Sequence, residues 1–390
     1  MTLKIPKIRF LLPCAVLLLA IAAGALPLFD PALPPGKPFP ETEAFHVAFE
    51  QGGVSVGAES AILIDGDSGS VLYAKNPDER RGMASTTKIM TAYAVLSSLP
   101  TEAVVEITPE MTGVEGSSLY LKVGEKLTVE ELLYGLLLES GNDSAVALAI
   151  ACDGSVEAFA ERMNETAKEL GLENTRFANP HGLSEEGHYT TARELAMLTA
   201  EALKNETFAR IVATYQTRIP YEGIEDGRYL TNHNPLLKSF EGMIGVKTGW
   251  TTADGKCFVS AARREGMTLI GVTLGDTGIS ATHRRLLEFG FEHFEKRTLQ
   301  VDVPLQLPLV GGEASFLAAE AEALTLTLPK TGEVTVRIDA APFVYAGTAK
   351  GTPAGRAVFL WNGVEVGSTP LVTAEEAPAK KISLWEKWFG

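Results

Sequence analysis

Two residues one helical turn apart have the types needed for serine acyl transfer. Ser85 is followed three positions later by Lys88, and Ser85 is the only serine in the sequence with a lysine at that spacing. A serine hydroxyl is a weak nucleophile at its own pKa and needs a base within hydrogen-bond reach. Because three residues make about one turn, both side chains would share one face of a helix. The pair predicts a serine nucleophile whose base is a lysine.

Two further polar segments follow in order, at residues 140–142 and 247–249. In the first, Ser140 can relay a proton, because a hydroxyl both donates and accepts hydrogen bonds. Asn142 can hold a substrate amide and orient Lys88. Each segment alone is a weak signal, but their order and wide spacing favour one catalytic site built from all three.

The second segment, Lys247-Thr248-Gly249, suits a carboxylate. Lys247 and Thr248 would bind the carboxylate, and the Lys247 charge would help burial to keep Lys88 neutral. Gly249 has no side chain to prevent a substrate backbone from lying against the strand. We expect a strand over residues 241–248 that leads into a turn at this segment.

The N-terminal residues have the layout of an export signal. Three cations precede an apolar run, and Ala23-Gly24-Ala25 offers a small-residue cleavage site, so residues 1–25 are predicted to be a signal peptide. An uncleaved signal anchor is the alternative. Residues 26–43 are rich in proline and are predicted to be an extended tether.

The C-terminal segment, residues 374–390, ends in an amphipathic pattern. On a helical wheel Ile382, Leu384, Trp385, Trp388 and Phe389 fill one side. Because tryptophan favours the membrane interface, we expect a short anchor on the outer face of the cytoplasmic membrane. A terminal helix that is frayed or docked on the body is the alternative.

Charge and cysteine content narrow the class of protein. The formal net charge is −15, and loss of residues 1–25 would take it to −18, which argues against nucleic acid as a partner. Only Cys152 and Cys257 would remain after export, and two buried thiols are favoured over a disulfide. Since no zinc-ligand pattern stands out, we expect no cofactor and no metal.

The pattern of elements predicts an α+β fold. Residues 44–294 place strands at both ends and helices in the middle, which favours an antiparallel sheet covered by helices with the site between them. Residues 295–373 alternate apolar and polar residues and contain a hairpin signal at Asn362-Gly363, which predicts a small all-β domain. No catalytic grouping is evident in this second domain, so we expect a spacer or a partner surface.

The three segments together resemble the penicillin-binding proteins and serine β-lactamases. The chain is most similar to the low-molecular-mass penicillin-binding proteins that act as serine D-Ala-D-Ala carboxypeptidases. Further stretches carry this likeness: Asn174–Leu183, Tyr189–Ala196, Asn232–Leu237 and Leu286–Phe291. The resemblance implies a β-lactamase/transpeptidase-like fold and a peptidoglycan stem peptide ending in D-Ala-D-Ala as substrate. It also implies inhibition by β-lactams and a site at the extracytoplasmic face of the membrane or in the cell wall.

The resemblance also implies roles for residues that chemistry alone does not single out. The backbone N–H groups of Ser85 and Trp250 would form the oxyanion hole. His181 would border the active site, with a structural role favoured over a catalytic one. The family's carboxylate-clamping arginine is missing from residues 276–282, and Arg284 or Arg285 could substitute or could simply face solvent.

Two rival functions stay open from sequence. A glutamate-dependent β-lactamase needs a carboxylate that activates the deacylating water, in a Glu-x-x-Leu-Asn loop. The nearest match, residues 169–173, ends in glutamate instead of asparagine. A cell-wall scaffold that kept the fold without activity is the second rival, and the intact Ser85, Lys88, Ser140 and Lys247 speak against it.

Overall fold

The computed structural model describes residues 54–221 and 223–380. The predicted signal peptide and tether, and residues 381–390 of the predicted anchor, lie outside the described residues. The helices are α1 (Lys88–Leu96), α2 (Val129–Leu137), α3 (Asn142–Asp153), α4 (Val156–Glu169), α5 (Ala192–Ala202), α6 (Glu206–Ala213) and α7 (Ile279–His293). The strands of the first half are β1 (Ser60–Asp65), β2 (Val71–Lys75), β3 (Val104–Glu106), β4 (Lys126–Thr128), β5 (Gln216–Ile219), β6 (Arg228–Thr231), β7 (Met243–Thr251), β8 (Gly255–Arg264) and β9 (Met267–Asp276).

A five-stranded antiparallel sheet in the order β2-β1-β9-β8-β7 organises this half. Side chains of successive strand residues point to opposite faces. In β1, Ile62 and Ile64 belong to one apolar core, whereas Ala61 and Leu63 belong to a second core. Both faces of the sheet are therefore covered, which confirms the predicted α+β arrangement.

The two faces have different helical covers. Helices α1 to α5 supply most of the core on the first face, for example through Ile89, Leu133, Leu148 and Phe159. On the second face α7 packs through Leu286, Leu287 and Phe289. Strand β7 lies at the edge of the sheet, so one side of it faces the first-face helices without a strand partner in the described sheet.

The second half is all-β, as predicted. Its strands are β10 (Phe294–Leu299), β11 (Leu305–Val310), β12 (Phe316–Ala321), β13 (Leu324–Pro329), β14 (Val334–Ala340), β15 (Val344–Tyr345), β16 (Pro353–Trp361) and β17 (Val364–Thr373). They form a pair, β10-β13, and a six-stranded sheet in the order β14-β16-β17-β12-β11-β15. The hairpin at Asn362-Gly363 is confirmed, with both residues at positive φ as a tight turn requires.

The two halves share an apolar core. Leu63 and Leu269 from the first half lie in the same cluster as Leu326, Leu328 and Phe359 from the second. At this junction the Thr327 hydroxyl donates to the buried Asp65 carboxylate at 2.8 Å. The β half is thus packed directly on the second face of the central sheet.

The described part of the C-terminal segment is extended. Ala379 forms a bridge with Gly312, and residues 374–380 contain no helix. Among the described residues, no helix is both long and apolar enough to span a bilayer.

Candidate active site

Ser85 lies in a single 3₁₀ turn, Ala84–Thr87, directly before α1. The α-helix begins at Lys88 and not at Ser85, because Ala84 adopts a positive φ of 46° that an α-helix does not allow. Hydrogen bonds hold this turn: the Thr87 hydroxyl donates to Ala84 O at 2.7 Å, and Ala84 N–H donates to Asp254 Oδ2 at 3.2 Å. Lys88 is the first residue of α1, so the two side chains still share one face.

The buried Lys88 amine contacts three oxygens. Its Nζ lies 2.7 Å from Asn142 Oδ1, 2.5 Å from His181 O and 3.1 Å from Ser85 Oγ. The amide and carbonyl oxygens can only accept hydrogen bonds, whereas a hydroxyl can also donate. A neutral amine has two N–H groups for the two acceptors and one lone pair for the Ser85 hydroxyl. The contact set therefore suits a base that accepts the Ser85 proton.

Burial favours the neutral form of Lys88. Desolvation lowers the pKa of Lys88 well below its usual 10.5, the nearby Lys247 charge lowers it further, and Asp143 acts in the opposite direction. Burial also lowers the pKa of Lys247, to about 7. Two buried lysines close together cannot both hold their charge without a large desolvation cost.

Asn142 and Ser140 come from the turn that opens α3. The Asn142 side chain is fixed at both ends, since its Nδ2 donates to Glu115 O at 2.5 Å while its Oδ1 faces Lys88. Ser140 has a positive φ of 62°, which is uncommon outside glycine and typical of strained functional turns. Its hydroxyl is buried and has no hydrogen-bond partner within the described chain.

Lys247, Thr248 and Gly249 lie within β7 and pair with β8. The predicted strand is therefore confirmed through Thr248, and the predicted turn was wrong because the strand continues to Thr251. The turn comes later, after Thr251. These residues extend the strand because one side of β7 pairs with β8. The other side of β7, at the edge of the sheet, faces the Ser85 turn. A Cβ on Gly249 would lie 2.7 Å from Ser85 N, so the close approach requires glycine. Trp250 follows with 64% of its surface exposed at the rim.

Comparison with known proteins agrees with this geometry. Residues 46–278 match the family model described as D-alanyl-D-alanine carboxypeptidase, Peptidase S11. The chain is 34% identical to the D-alanyl-D-alanine carboxypeptidase DacF of Bacillus subtilis over 333 residues, which cover 82% of this chain and 85% of DacF. The chain belongs to the D-alanyl-D-alanine carboxypeptidase family. Its activity is that of a serine D-Ala-D-Ala carboxypeptidase, and neither rival function is favoured.

Solved structures support the same assignment. Penicillin binding protein 5 from Haemophilus influenzae superimposes with a TM-score of 0.74 at 29% identity, covering 84% of this chain and 99% of that one. The Streptomyces K15 DD-transpeptidase superimposes with a TM-score of 0.59 at 36% identity, covering 61% of this chain and 98% of that one. The similarity to the first protein extends over both halves of the fold.

The two accessory candidates have different positions. His181 borders the site through its backbone oxygen, while its ring Nδ1 accepts from Leu183 N–H at 3.2 Å, in line with the structural role that was favoured. Burial, Lys88 and His188 lower the pKa of the His181 ring to about 4. Arg284 lies on α7, which covers the opposite face of the sheet, and it donates to Ser239 O at 2.9 Å. A carboxylate clamp by Arg284 is therefore not supported.

Several residues that position the site were missed from sequence. The buried Asp143 accepts hydrogen bonds from the Ser118 hydroxyl and from the N–H groups of Leu119 and Leu121, and so fixes the loop in front of Asn142. The buried His188 bonds the Thr87 hydroxyl at 2.7 Å and accepts from Ala178 N–H. The position of Asp143 at the start of a helix, directly after Asn142, was the one signal available.

Neither cysteine of the described chain is part of a disulfide. Cys257 is buried beneath the Ser85 turn, and burial raises the pKa of its thiol to about 12, so it stays protonated. Within residues 54–221 and 223–380, no group of three or more potential ligands is placed to hold a metal ion.

Proposed function

We propose that Ser85 is the nucleophile and Lys88 its general base. Lys88 takes the Ser85 proton as Oγ attacks the carbonyl carbon of the penultimate D-Ala. The bond to the terminal D-Ala nitrogen then breaks, and that nitrogen receives a proton by way of Ser140. Water hydrolyses the resulting ester and frees Ser85, so one difficult step becomes two easier ones. The observation that carries this proposal is the set of Lys88 contacts, which leaves one lone pair directed at Ser85 Oγ.

We propose that β7 and the turn before α3 hold the substrate between them. Lys247 and Thr248 bind the terminal carboxylate, and the free edge of β7 pairs with the substrate backbone. Asn142 orients Lys88 and meets a substrate amide. The unpartnered hydroxyl of Ser140 is available to the leaving amine. The N–H groups of Ser85 and Trp250 stabilise the oxyanion, and Trp250 narrows the entrance.

The cellular setting is also a proposal. The substrate is a peptidoglycan stem pentapeptide, and β-lactams acylate the same serine. Residues 1–25 direct export, residues 26–43 form a tether, and residues 44–294 carry the activity. Residues 295–373 hold the active site away from the membrane, and residues 374–390 associate with its outer face through the apolar side of the tail. The sequence pattern of residues 381–390 supports this last step.

Release of D-alanine tests the proposed roles. The purified protein is expected to free D-Ala from a peptide ending in D-Ala-D-Ala, and Ser85→Ala is expected to lose this activity while it keeps its thermal stability. Freshly folded protein that releases no D-Ala, or a Ser85→Ala variant as active as the parent, would rule out the proposed nucleophile.

A further inference from the structure

One edge of the six-stranded sheet exposes a group of apolar side chains. Val310, Phe316, Phe343 and Tyr345 are each between 42% and 62% exposed. With the exposed Pro308 they are called the edge patch below. All five lie on or directly beside β11, β12 and β15, so they form one group on the surface.

Strand register places the edge patch on one face of the sheet. Pro308 is paired with Phe316, and Val310 is paired with Tyr345, and directly paired residues point to the same side. The alternate residues, Leu307 and Leu309, point inward to the apolar interior. The rings of Phe343 and Tyr345 touch edge to face, with centroids 5.2 Å apart. The patch is therefore continuous. Its members are the strand residues that point outward, and they alternate with residues that point into the core.

The C-terminal tail begins beside this patch. Ala379 bridges to Gly312, and Lys380 N–H donates to Gly311 O at 3.0 Å, immediately after Val310. Gly347 N–H donates to Ala377 O, two residues after Tyr345. The last described residue thus lies next to the patch, and ten further residues follow it. They include the apolar and aromatic residues Ile382, Leu384, Trp385, Trp388 and Phe389.

The size and chemistry of the patch favour lipid over a protein partner. A stable protein interface buries about 800 Å² on each side, from roughly 20 residues, and five side chains fall far short of that. Aromatic residues favour the boundary between head groups and acyl chains. The exposed charges near the patch are acidic at Glu313, Glu375 and Glu376 and basic at Lys380, so their sum is negative. Binding by the patch would therefore depend on apolar contact rather than on attraction to anionic lipid.

We propose that the edge patch is a second membrane-contacting surface, which enters the lipid interface next to the tail. This proposal rests on the proposed membrane association of residues 374–390 and extends it to the folded β domain. The edge patch and the tail together would fix the orientation of the domain on the bilayer, whereas a tail alone would leave the domain free to rotate. The active site would then be held at a defined height and direction above the membrane.

Vesicle flotation tests the patch directly. The purified protein with its C-terminus intact is mixed with vesicles of phosphatidylcholine, or of phosphatidylcholine with one quarter phosphatidylglycerol. Phe343→Ser with Tyr345→Ser is expected to lower the partition coefficient about tenfold, because two aromatic side chains no longer enter the interface. The loss should be equal on both lipids and insensitive to salt. The control is Val303→Ser with Val364→Ser, whose side chains are 63% and 45% exposed elsewhere in the same domain.

Each outcome of the flotation experiment has a defined meaning. Unchanged binding of the patch variant, with binding lost on deletion of residues 381–390, overturns the patch proposal and leaves the tail proposal standing. A parent protein that binds neither kind of vesicle overturns both membrane proposals. Release of D-Ala by the same sample leaves the enzymatic proposal intact. A patch variant that changes the sedimentation coefficient from dimer to monomer without changing flotation assigns the patch to self-association and overturns its role in lipid binding.

Discussion

At the scale of single residues, the site depends on how two buried lysines share charge. Lys88 is surrounded by two acceptors and the Ser85 hydroxyl, and its neutral form fits those contacts. Lys247 carries the positive charge that lowers the pKa of Lys88 after burial has already lowered it. The proposed base and the proposed carboxylate-binding cation are thus coupled, although they come from a helix and a strand far apart in sequence.

Lys247→Gln tests this coupling through the pH dependence of acylation. Acylation needs neutral Lys88, so its rate falls as pH drops through the pKa of Lys88. Removal of the Lys247 charge removes a factor that lowers this pKa. The acid limb, which is the fall of the acylation rate at low pH, is therefore expected to move to higher pH. Stopped-flow acylation by a chromogenic penicillin measures the acid limb. Weaker binding of the penicillin carboxylate would appear separately, as a loss of affinity for the penicillin. An acid limb that stays in place or moves to lower pH contradicts the coupling.

At the scale of elements, the site is a meeting of one turn, one helix start and one edge strand. The close contact between β7 and the Ser85 turn depends on Gly249, because a Cβ there would meet Ser85 N at 2.7 Å and Thr86 N at 3.1 Å. Backbone atoms cannot move aside as a flexible side chain can. The strand must therefore shift away from the turn if any side chain is added.

Gly249→Ala is expected to slow acylation about 10²–10³-fold, because it displaces a proposed oxyanion donor. Gly278→Ala is the matched control, since a Cβ at Gly278 meets nothing within 4 Å and its φ is negative. Acylation rates and melting temperatures of both variants would be compared with the parent. A Gly249→Ala variant that acylates as fast as the control would show that the close approach has no catalytic role.

The packing of α7 on the sheet involves a buried histidine. The His283 ring lies between the hydroxyls of Ser260 and Thr273, at 2.6 and 2.9 Å, and burial lowers its pKa to about 3. In the unfolded chain His283 titrates near 6.5, so the unfolded state binds more protons between pH 6.5 and pH 3. Stability contributed by neutral His283 is therefore lost as pH falls through that window.

Between pH 7 and pH 5, His283 alone is expected to lower the free energy of unfolding by about 2 kcal/mol. His283→Gln is expected to be less stable than the parent at pH 7, since it loses a hydrogen bond and ring contacts, but to lose less stability on acidification. Urea unfolding at both pH values measures the difference. Equal losses for parent and variant would show that His283 does not control the acid sensitivity.

The sequence predicted elements well where periodicity was strong and turns poorly where tertiary contacts decide. The helices in the middle of residues 44–294 and the hairpin at Asn362-Gly363 were confirmed. The strand that contains Lys247 was predicted to end at Thr248, although the pairing of β7 with β8 continues to Thr251. Glycine is depleted in strands, so Gly249 indicated a strand end that the pairing within the sheet overrides.

The site residues also differ in how far the sequence could predict them. Chemistry and order indicated Ser85, Lys88, Ser140 and Asn142. The fold places Ser85 and Asn142 in contact with Lys88, and Lys247 is close enough to lower the pKa of Lys88. The roles of Asp143 and His188 depend on contacts with a loop and a turn that are distant in sequence, and no local pattern specifies such partners. Arg284 was a candidate substitute for the family's arginine, and its position on α7, over the opposite face of the sheet, does not support that role.

At the scale of the whole molecule, the β domain is packed on the sheet that carries the active site. The shared apolar cluster contains Leu63 and Leu269 together with Leu326 and Phe359, and the buried bond from Thr327 to Asp65 crosses the same junction. Inter-domain contacts that are large and apolar suppress relative motion. The orientation of the β domain therefore fixes the orientation of the candidate active site.

Because the core is shared, heating is expected to unfold residues 54–380 in a single cooperative transition. Calorimetry should give one peak with equal calorimetric and van't Hoff enthalpies. Leu328→Ala, at the junction, is expected to lower that single melting temperature rather than split the peak, with a cost of about 2–5 kcal/mol for a buried leucine. Two separate transitions in the parent protein would contradict a continuous core.

The most direct test of the whole account is the mass of the protein after incubation with benzylpenicillin. One covalent adduct is expected for each chain, and peptide mapping should place it on Ser85. Lys88→Arg should slow its formation about 10²–10⁴-fold, because arginine cannot act as the base. An adduct on another residue, no adduct on folded protein, or an undiminished rate with Lys88→Arg would contradict the proposed pair.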